Sequence, residues 1–275
     1  MNVDLSGDDL KSKQAVVIAD LHFPFYDAPT FNAILDFIKQ SKPDFCILLG
    51  DQLDLESISH WSQGKPLFRP VGGLKSDLDG FKSKILDPLQ SALPRTCKKV
   101  WLEGNHERFI TDLIEQQPEL QGIVDHISYL KLHERGWQVI PLNGSFKLGK
   151  LTLIHGNQLQ GGMGYIGNQP SKKAVDIYAT SVLCGHTHSA QSYTRVSPAD
   201  QHQKWAGYIS PVAGNQNPRF MRNKPNANTT GLSIVELRPN GNFNCYLCLT
   251  VDGEFSYGSK TYGKRANIHL KGSKF

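Results

Sequence analysis

The chain has 275 residues, of which 39% are hydrophobic and 20% charged, and its formal net charge is +5 at pH 7. These values are normal for a soluble globular protein with a sizeable core, and the mild basicity fits a phosphate-bearing partner without requiring one. No run approaches 18 apolar residues and residues 1–13 lack a hydrophobic stretch, so we expect neither a membrane span nor a secretory signal. The odd number of cysteines, five, favours a reducing compartment, and the expected location is the cytoplasm.

The first two thirds of the chain alternate between short apolar runs and helical patterns. The apolar runs are rich in Val, Ile and Leu and short enough for strands, and they cover residues 15–20, 45–51, 98–106, 151–156 and 180–188. Helical spacing of apolar residues covers 28–40, 74–93 and 107–117, with a kink or break expected at Pro88. This alternation predicts an α/β fold with strands buried on both faces.

The pattern changes toward the C-terminal end of the chain. Residues 207–214, 232–239 and 243–251 read as strands that follow one another without helices, and Asn-Gly at 240–241 is a strong hairpin signal. We therefore expect these strands to form a second, more antiparallel sheet that packs on the first.

Every strand-like run of the first group ends in a cluster of Asp, Asn or His. These terminal residues are Asp20, His22, Asp51, Asp54, Asn105, His106, His155, His186 and His188. The carboxyl ends of parallel strands lie side by side in an open α/β sheet, so residues far apart in sequence converge there. Oxygen and nitrogen donors without thiolates suit Mn²⁺, Fe²⁺ or Zn²⁺ and argue against a closed structural zinc site. The donors are too many for one ion, which indicates two ions sharing a bridging carboxylate.

Five short motifs in this order resemble those of the calcineurin-like metallophosphoesterase superfamily, in its phage and bacterial branch. They are DLH at 20–22, GDQLD at 50–54, GNHE at 104–107, HG at 155–156 and GHTH at 185–188. The resemblance covers about residues 15–215 and implies two packed β-sheets flanked by helices, a four-layer α-β-β-α sandwich. We expect one domain over residues 1–275, with a β-rich part at 205–252 and a basic tail at 255–275.

The resemblance also assigns roles to individual residues. Asp20, His22 and His188 would hold one metal ion, Asn105, His155 and His186 the other, and Asp51 would bridge them. His186 and His188 would thus serve different ions, since residues i and i+2 of an extended chain point the same way. His106 would protonate the leaving alkoxide, and the carboxylate of Asp54 would accept a hydrogen bond from His106 and hold its tautomer. Glu107 receives no role beyond capping the helix that begins there.

The implied activity is hydrolysis of a phosphoester by metal-activated hydroxide, with two divalent ions as cofactors. Mn²⁺ is the first expectation, with Fe, Zn, Ni or Mg as alternatives. The protein phosphatases of the superfamily carry an arginine directly after the second aspartate of the GDxxD motif, where this chain has Leu55. The absence of an arginine side chain at this position favours phosphodiesters, either nucleotides or nucleic-acid ends, as substrates. Arg69, Arg108, Arg219 or Arg222 could bind a phosphate group instead.

Three alternatives stay open on this reading: a DNA or RNA nuclease proper, a phosphomonoesterase or protein phosphatase, and a non-catalytic scaffold. The nuclease alternative depends on the basic tail and on the loop at 213–230, where Arg219 and Arg222 are candidate substrate contacts. His60, in the loop at 56–73, is a third candidate contact. The scaffold alternative is disfavoured because binding alone has no need of His106. The oligomeric state is not predicted.

Overall fold

A computed structural model describes residues 12–59, 72–159, 168–218 and 224–263. Its largest sheet has six strands. In spatial order they are Phe243–Leu249 (β11), Gly231–Leu237 (β10), Lys13–Ile18 (β1), Phe45–Leu49 (β2), Lys98–Leu102 (β3) and Trp137–Ile140 (β4). Strands β1 to β4 are parallel, whereas β10 and β11 run antiparallel to their neighbours.

A second sheet has five strands and packs against the first. In spatial order they are Phe146–Leu148 (β5), Leu151–Leu153 (β6), Ser181–Cys184 (β7), Lys204–Ile209 (β9) and Gln191–Val196 (β8). Strands β6, β7 and β9 are parallel to one another. A small hairpin, Phe255–Tyr257 (β12) with Lys260–Tyr262 (β13), completes the described strands.

Helices lie on the outer faces of both sheets. They are Ala28–Ser41 (α1), Gly73–Phe81 (α2), Asp87–Ala92 (α3), Arg108–Gln116 (α4), His126–Tyr129 (α5) and Pro170–Tyr178 (α6). The helix expected at 74–93 continues through Pro88, which is preceded by a π-helical turn at Lys82–Leu86. A wider turn accommodates a residue that lacks an N–H group and crowds the preceding carbonyls. In the described parts of the chain, no helix is both long and apolar enough to span a bilayer.

Three apolar clusters produce the four layers. Val16 and Ile18 of β1 pack toward α1 and its neighbouring helices, while Ala15 and Val17 point the other way into the layer between the sheets. The smallest cluster joins the second sheet to α6. Burial of both faces explains the continuous apolar runs in the sequence. The predicted fold class, two packed sheets flanked by helices, is confirmed.

The prediction about the C-terminal strands is wrong in one respect. The Asn-Gly turn does join an antiparallel hairpin, β10 with β11, but this hairpin extends the first sheet by pairing β10 with β1, Val16 opposite Ile234. Of the three predicted strands, the one at 207–214 overlaps β9 and does belong to the second sheet, whose strands come from 146–209. Alternating polarity reports which face of a strand is buried and does not identify its neighbour.

The two sheets bring their strand ends to one place. The loops after β1 and β2 are hydrogen-bonded to each other, since Asp20 N–H donates to the Gly50 carbonyl at 3.1 Å and His22 N–H to the Asp51 carbonyl at 2.9 Å. The loops after β6 and β7 are joined likewise, by Gly185 N–H and the His155 carbonyl at 2.8 Å. The polar strand ends of both sheets therefore face one shared crevice.

Candidate metal centre

The seven residues that the sequence singles out as metal ligands meet in this crevice, although they come from five loops that are far apart in the sequence. Asp20, His22 and His188 form one group, the His22 cluster, whose donor atoms lie within 4.8 Å of one another. Asp51, His155 and His186 satisfy the same criterion, and with Asn105 they form the His155 cluster. Together the two clusters contain all seven predicted ligands.

The His22 cluster lies at the more open side of the crevice. His22 Nε2 is 3.2 Å from His188 Nε2, and His188 Nε2 is 3.6 Å from Asp20 Oδ1. Both histidine side chains are partly exposed, whereas Asp20 is fully buried. The exposed edges leave this cluster accessible from solvent.

The His155 cluster lies deeper between the sheets. His155 Nε2 is 3.2 Å from Asp51 Oδ2 and 3.0 Å from Asn105 Oδ1, and the imidazole ring has no exposed surface. Asp51 Oδ2 also lies 3.8 Å from His22 Nε2. The same carboxylate oxygen thus faces both clusters, which is the position of a bridging ligand.

The hydrogen bonds at the far side of two rings show that the crevice suits a cation. His155 Nδ1 is 3.0 Å from the Leu49 carbonyl and His22 Nδ1 is 3.0 Å from Asp54 Oδ1, so each Nδ1 donates its proton outward. In a neutral imidazole this leaves the lone pair on Nε2, directed at other acceptors. Converging acceptors are stable only with a proton or a metal ion between them, and a carbonyl or carboxylate behind a ligating histidine is the usual arrangement at metal sites.

Electrostatic interactions inside the crevice prepare the donors for a cation. Burial by itself raises the pKa of Asp51, but His155, His106 and His22 together hold it well below its ordinary value. Burial lowers the pKa of His155, yet Asp51 and Asp20 raise it to about 10, so a proton occupies the acceptor site when no metal does. Burial and the neighbouring His155 lower the pKa of His186 to about 4, which keeps that ring neutral and able to ligate.

Five of the seven predicted ligands have left-handed backbone conformations. Their φ angles are 50° at Asp20, 49° at His22, 52° at Asp51, 67° at His186 and 60° at His188. Such conformations are uncommon outside glycine and concentrate at functional sites. His186 and His188 do join different clusters, but through this bent backbone and not through the extended chain expected from the sequence. The turn also needs Gly185, where a Cβ would lie 2.3 Å from Asp20 Oδ2.

His106 lies beside Asp51, and its contact with Asp54 differs from the prediction. His106 Nδ1 bonds the main-chain carbonyl of Asp54 at 2.8 Å, and the Asp54 carboxylate, 3.6 Å away, bonds His22 instead. The His22 ring lies closer to the carboxylate and competes for it. Asp54 therefore contacts both histidines, through its carbonyl and its carboxylate.

Glu107 is the site residue that sequence reasoning missed. It does not cap α4; its carboxylate is buried and accepts hydrogen bonds from four main-chain N–H groups of the two loops around it. Burial and the nearby Asp51 raise its pKa. The acidic residue within GNHE was visible in the sequence, but three of its four partners lie more than 50 positions away.

The candidate substrate contacts are only partly placed. His60, Arg69, Arg219 and Arg222 lie outside the described residues. Arg108 is exposed and its Nε donates to Asp112 Oδ1 at 3.0 Å along α4. Leu55, at the position where related phosphatases carry an arginine, is completely buried in the core.

Comparison with known proteins shows the family to which the chain belongs. The family model for calcineurin-like phosphoesterases matches residues 14–190. The Gene 54 protein of Mycobacterium phage L5 is 30% identical to this chain over 188 residues, which cover 64% of this chain and 69% of the relative. The Gene 54 protein of Mycobacterium phage D29 is 28% identical over 180 residues, with the same coverage of both chains. Among solved structures, vacuolar protein sorting 29 from Cryptosporidium parvum aligns with a TM-score of 0.47 and 14% identity, covering 92% of this chain and 99% of the other. This chain belongs to the calcineurin-like phosphoesterase family.

Proposed function

We propose that this protein is a phosphodiesterase with two divalent metal ions, Mn²⁺ in the first place, that acts on nucleotides or nucleic-acid ends. One observation carries the proposal: Asp51 Oδ2 lies 3.2 Å from His155 and 3.8 Å from His22, between two groups of donors. Oxygen and imidazole ligands without sulfur suit Mn²⁺.

The protein's contribution is to hold charged groups in a fixed arrangement. Asp20, His22 and His188 would bind one ion, Asn105, His155 and His186 the other, and Asp51 both. When bound, the two ions neutralise the phosphate charge and lower the pKa of a water molecule to near 7. The buried Asp20 is held in place by His186 N–H, which lies 2.9 Å from its Oδ2, so that ligands of the two ions are tied to each other.

His106 is the group that would give a proton to the leaving alkoxide. Its Nδ1 is occupied by the Asp54 carbonyl, and its Nε2 lies 4.0 Å from Asp51 Oδ2. About a quarter of the side chain is exposed, so a substrate oxygen can reach it. A protonated ring held in this way can donate from Nε2 without first reorienting.

Two features support a diester over a monoester. The buried Leu55 supplies no cation where related phosphatases have an arginine. In addition, two acidic residues, Asp54 and Glu56, line the cavity next to His22 and His188. A phosphomonoester carries close to two negative charges at pH 7 and a diester carries one, so these carboxylates repel the monoester more strongly.

Two chromogenic substrates test the preference directly. With Mn²⁺, bis-p-nitrophenyl phosphate should turn over faster than p-nitrophenyl phosphate at equal concentration, and EDTA should stop both reactions. Faster hydrolysis of the monoester would contradict the diester proposal while leaving the metal chemistry intact. A screen of cyclic nucleotides, dinucleotides and single- and double-stranded DNA and RNA would then identify the substrate class.

The cytoplasm remains the proposed location. All five cysteines are unpaired, and Cys46, Cys97, Cys184 and Cys248 are buried in the core. Thiols in this state fit a reducing compartment.

A further inference from the structure

We propose that Glu107 is a positioning residue that sets the distance between the loop carrying Asp51 and the loop carrying Asn105 and His106. Its carboxylate is 2% exposed and lies between the two loops. Oε1 accepts from Gln52 N–H at 2.9 Å and Leu53 N–H at 3.1 Å. Oε2 accepts from Gly104 N–H at 2.8 Å and Asp51 N–H at 3.1 Å.

These donors rule out a simple capping role. A residue that caps α4 would accept from N–H groups in the first turn of that helix. Three of the four donors instead belong to residues 51–53, and Gly104 precedes the helix. Hydrogen bonds to an ionised carboxylate are the stronger kind, and four of them satisfy a charge that would be costly to bury without partners. The side chain therefore joins two loops that lie more than 50 positions apart in the sequence.

A second contact runs in the opposite direction and closes the connection. Asp51 Oδ1 accepts from His106 N–H at 2.9 Å, so each loop presents a carboxylate to the main chain of the other. The loops also touch at Gly104, where a Cβ would lie 2.1 Å from Asp51 Oδ1. Because Asp51 uses Oδ1 for this bond, its Oδ2 is directed toward His155 and His22. By holding the main chain of both loops, Glu107 supports the bond from His106 N–H that orients the Asp51 carboxylate, although Glu107 itself bonds only main-chain N–H groups.

This inference rests on the proposed function in one respect, that Asp51 and Asn105 hold metal ions. The decisive variant is Glu107→Gln, which keeps the size of the side chain but replaces one acceptor oxygen by a donor that opposes two main-chain N–H groups. The matched control is Glu115→Gln, which removes the same charge from an exposed position on the same helix.

Two measurements separate positioning from simple stabilisation. In metal-free protein, hydrogen–deuterium exchange at residues 51–53 and 104 should accelerate in Glu107→Gln and not in the control. In Mn²⁺ titrations, the variant should bind about 10–100-fold more weakly than wild type, the usual range for a residue behind the ligands. The electron paramagnetic resonance signal of a coupled Mn²⁺ pair in wild type should give way to signals of isolated ions in the variant.

Several results would overturn the inference. It is wrong if folded Glu107→Gln binds the Mn²⁺ pair with wild-type affinity and coupling, whatever its thermal stability, or if amide exchange at 51–53 is unchanged. Should Glu107→Gln not fold, Glu107→Asp decides, since its carboxylate keeps the charge but reaches less far; we expect weakened Mn²⁺ binding, and wild-type binding would contradict us. If wild type binds no Mn²⁺, the proposed function fails, and the metal-free exchange experiment still tests Glu107.

Discussion

The two donor clusters differ in what holds their histidines in place. The His155 ring has no exposed surface, and its Nδ1 is bonded to a main-chain carbonyl at the end of the buried strand β2. The His22 ring is partly exposed, and its Nδ1 is bonded to the side chain of Asp54, which lines the neighbouring cavity. The ring of His155 is thus fixed by the main chain of the core, whereas the ring of His22 is held by the side chain of Asp54 at the edge of a cavity. We expect the His155 cluster to be tied to folding and the His22 cluster to be tied to substrate handling.

The largest effect should come from the residue that the clusters share. Asp51→Asn removes the charge between them, and we expect turnover to fall by more than about 10⁴-fold, beyond the loss of a single general acid. Metal content, measured by inductively coupled plasma mass spectrometry, should fall as well. Asp176→Asn, a surface change on α6, should affect neither quantity. An active Asp51→Asn enzyme would show that the clusters do not act as one centre.

The next effect tests whether His106, whose ring lies 4.6 Å from that of His22, faces the leaving group. His106→Ala should reduce turnover by about 10²–10⁴-fold on esters with poor leaving groups, because the alkoxide then departs without a proton. The loss on p-nitrophenyl esters should be much smaller, since nitrophenolate leaves without protonation. Metal content should be unchanged. Equal losses on both kinds of ester would refute the acid role.

A smaller effect should separate the clusters from each other. Asp54→Asn weakens the acceptor behind His22, and we expect affinity for one of the two Mn²⁺ ions to drop about 10–100-fold while the other ion stays bound. Isothermal titration calorimetry would resolve the two binding steps. Asp112→Asn, which removes a carboxylate from the surface ion pair with Arg108, is the control. Equal weakening of both steps would argue against independent support of the clusters.

The smallest expected effect is on the free energy of unfolding, and it allows a direct comparison of the two clusters. In metal-free protein, His155→Ala leaves the buried Leu49 carbonyl without its donor, and we expect a loss of about 1–3 kcal/mol in the free energy of unfolding. His22→Ala leaves the partly exposed Asp54 to water, so the expected loss is below about 1 kcal/mol. Urea unfolding after EDTA treatment measures both. A larger loss for His22→Ala would reverse the comparison.

Much of the site was accessible from the sequence because it follows from chain-local features. A strand-like run followed by Asp, Asn or His is visible in a few residues, and parallel topology then brings such ends together. The strand-end pattern and the family resemblance together predicted seven ligands and His106 by number, and all of these residues converge in the structure. The pattern does not identify the partner in each hydrogen bond. The sequence predicted that the Asp54 carboxylate bonds His106, whereas in the structure it bonds His22.

The sequence by itself determined the layered α/β fold, the kind of donor atoms and the strand ends that carry them. It could do so because the order of apolar and polar residues within a short run determines which side chains are buried. Only the tertiary structure decided that β10 and β11 extend the first sheet, that five predicted ligands adopt left-handed backbone conformations, and that Glu107 joins two loops. Each of these depends on groups that are distant in sequence and adjacent in space. Tertiary packing decides which strands are neighbours, which loops come close together and which groups share a hydrogen-bond acceptor. A local sequence pattern does not contain this information.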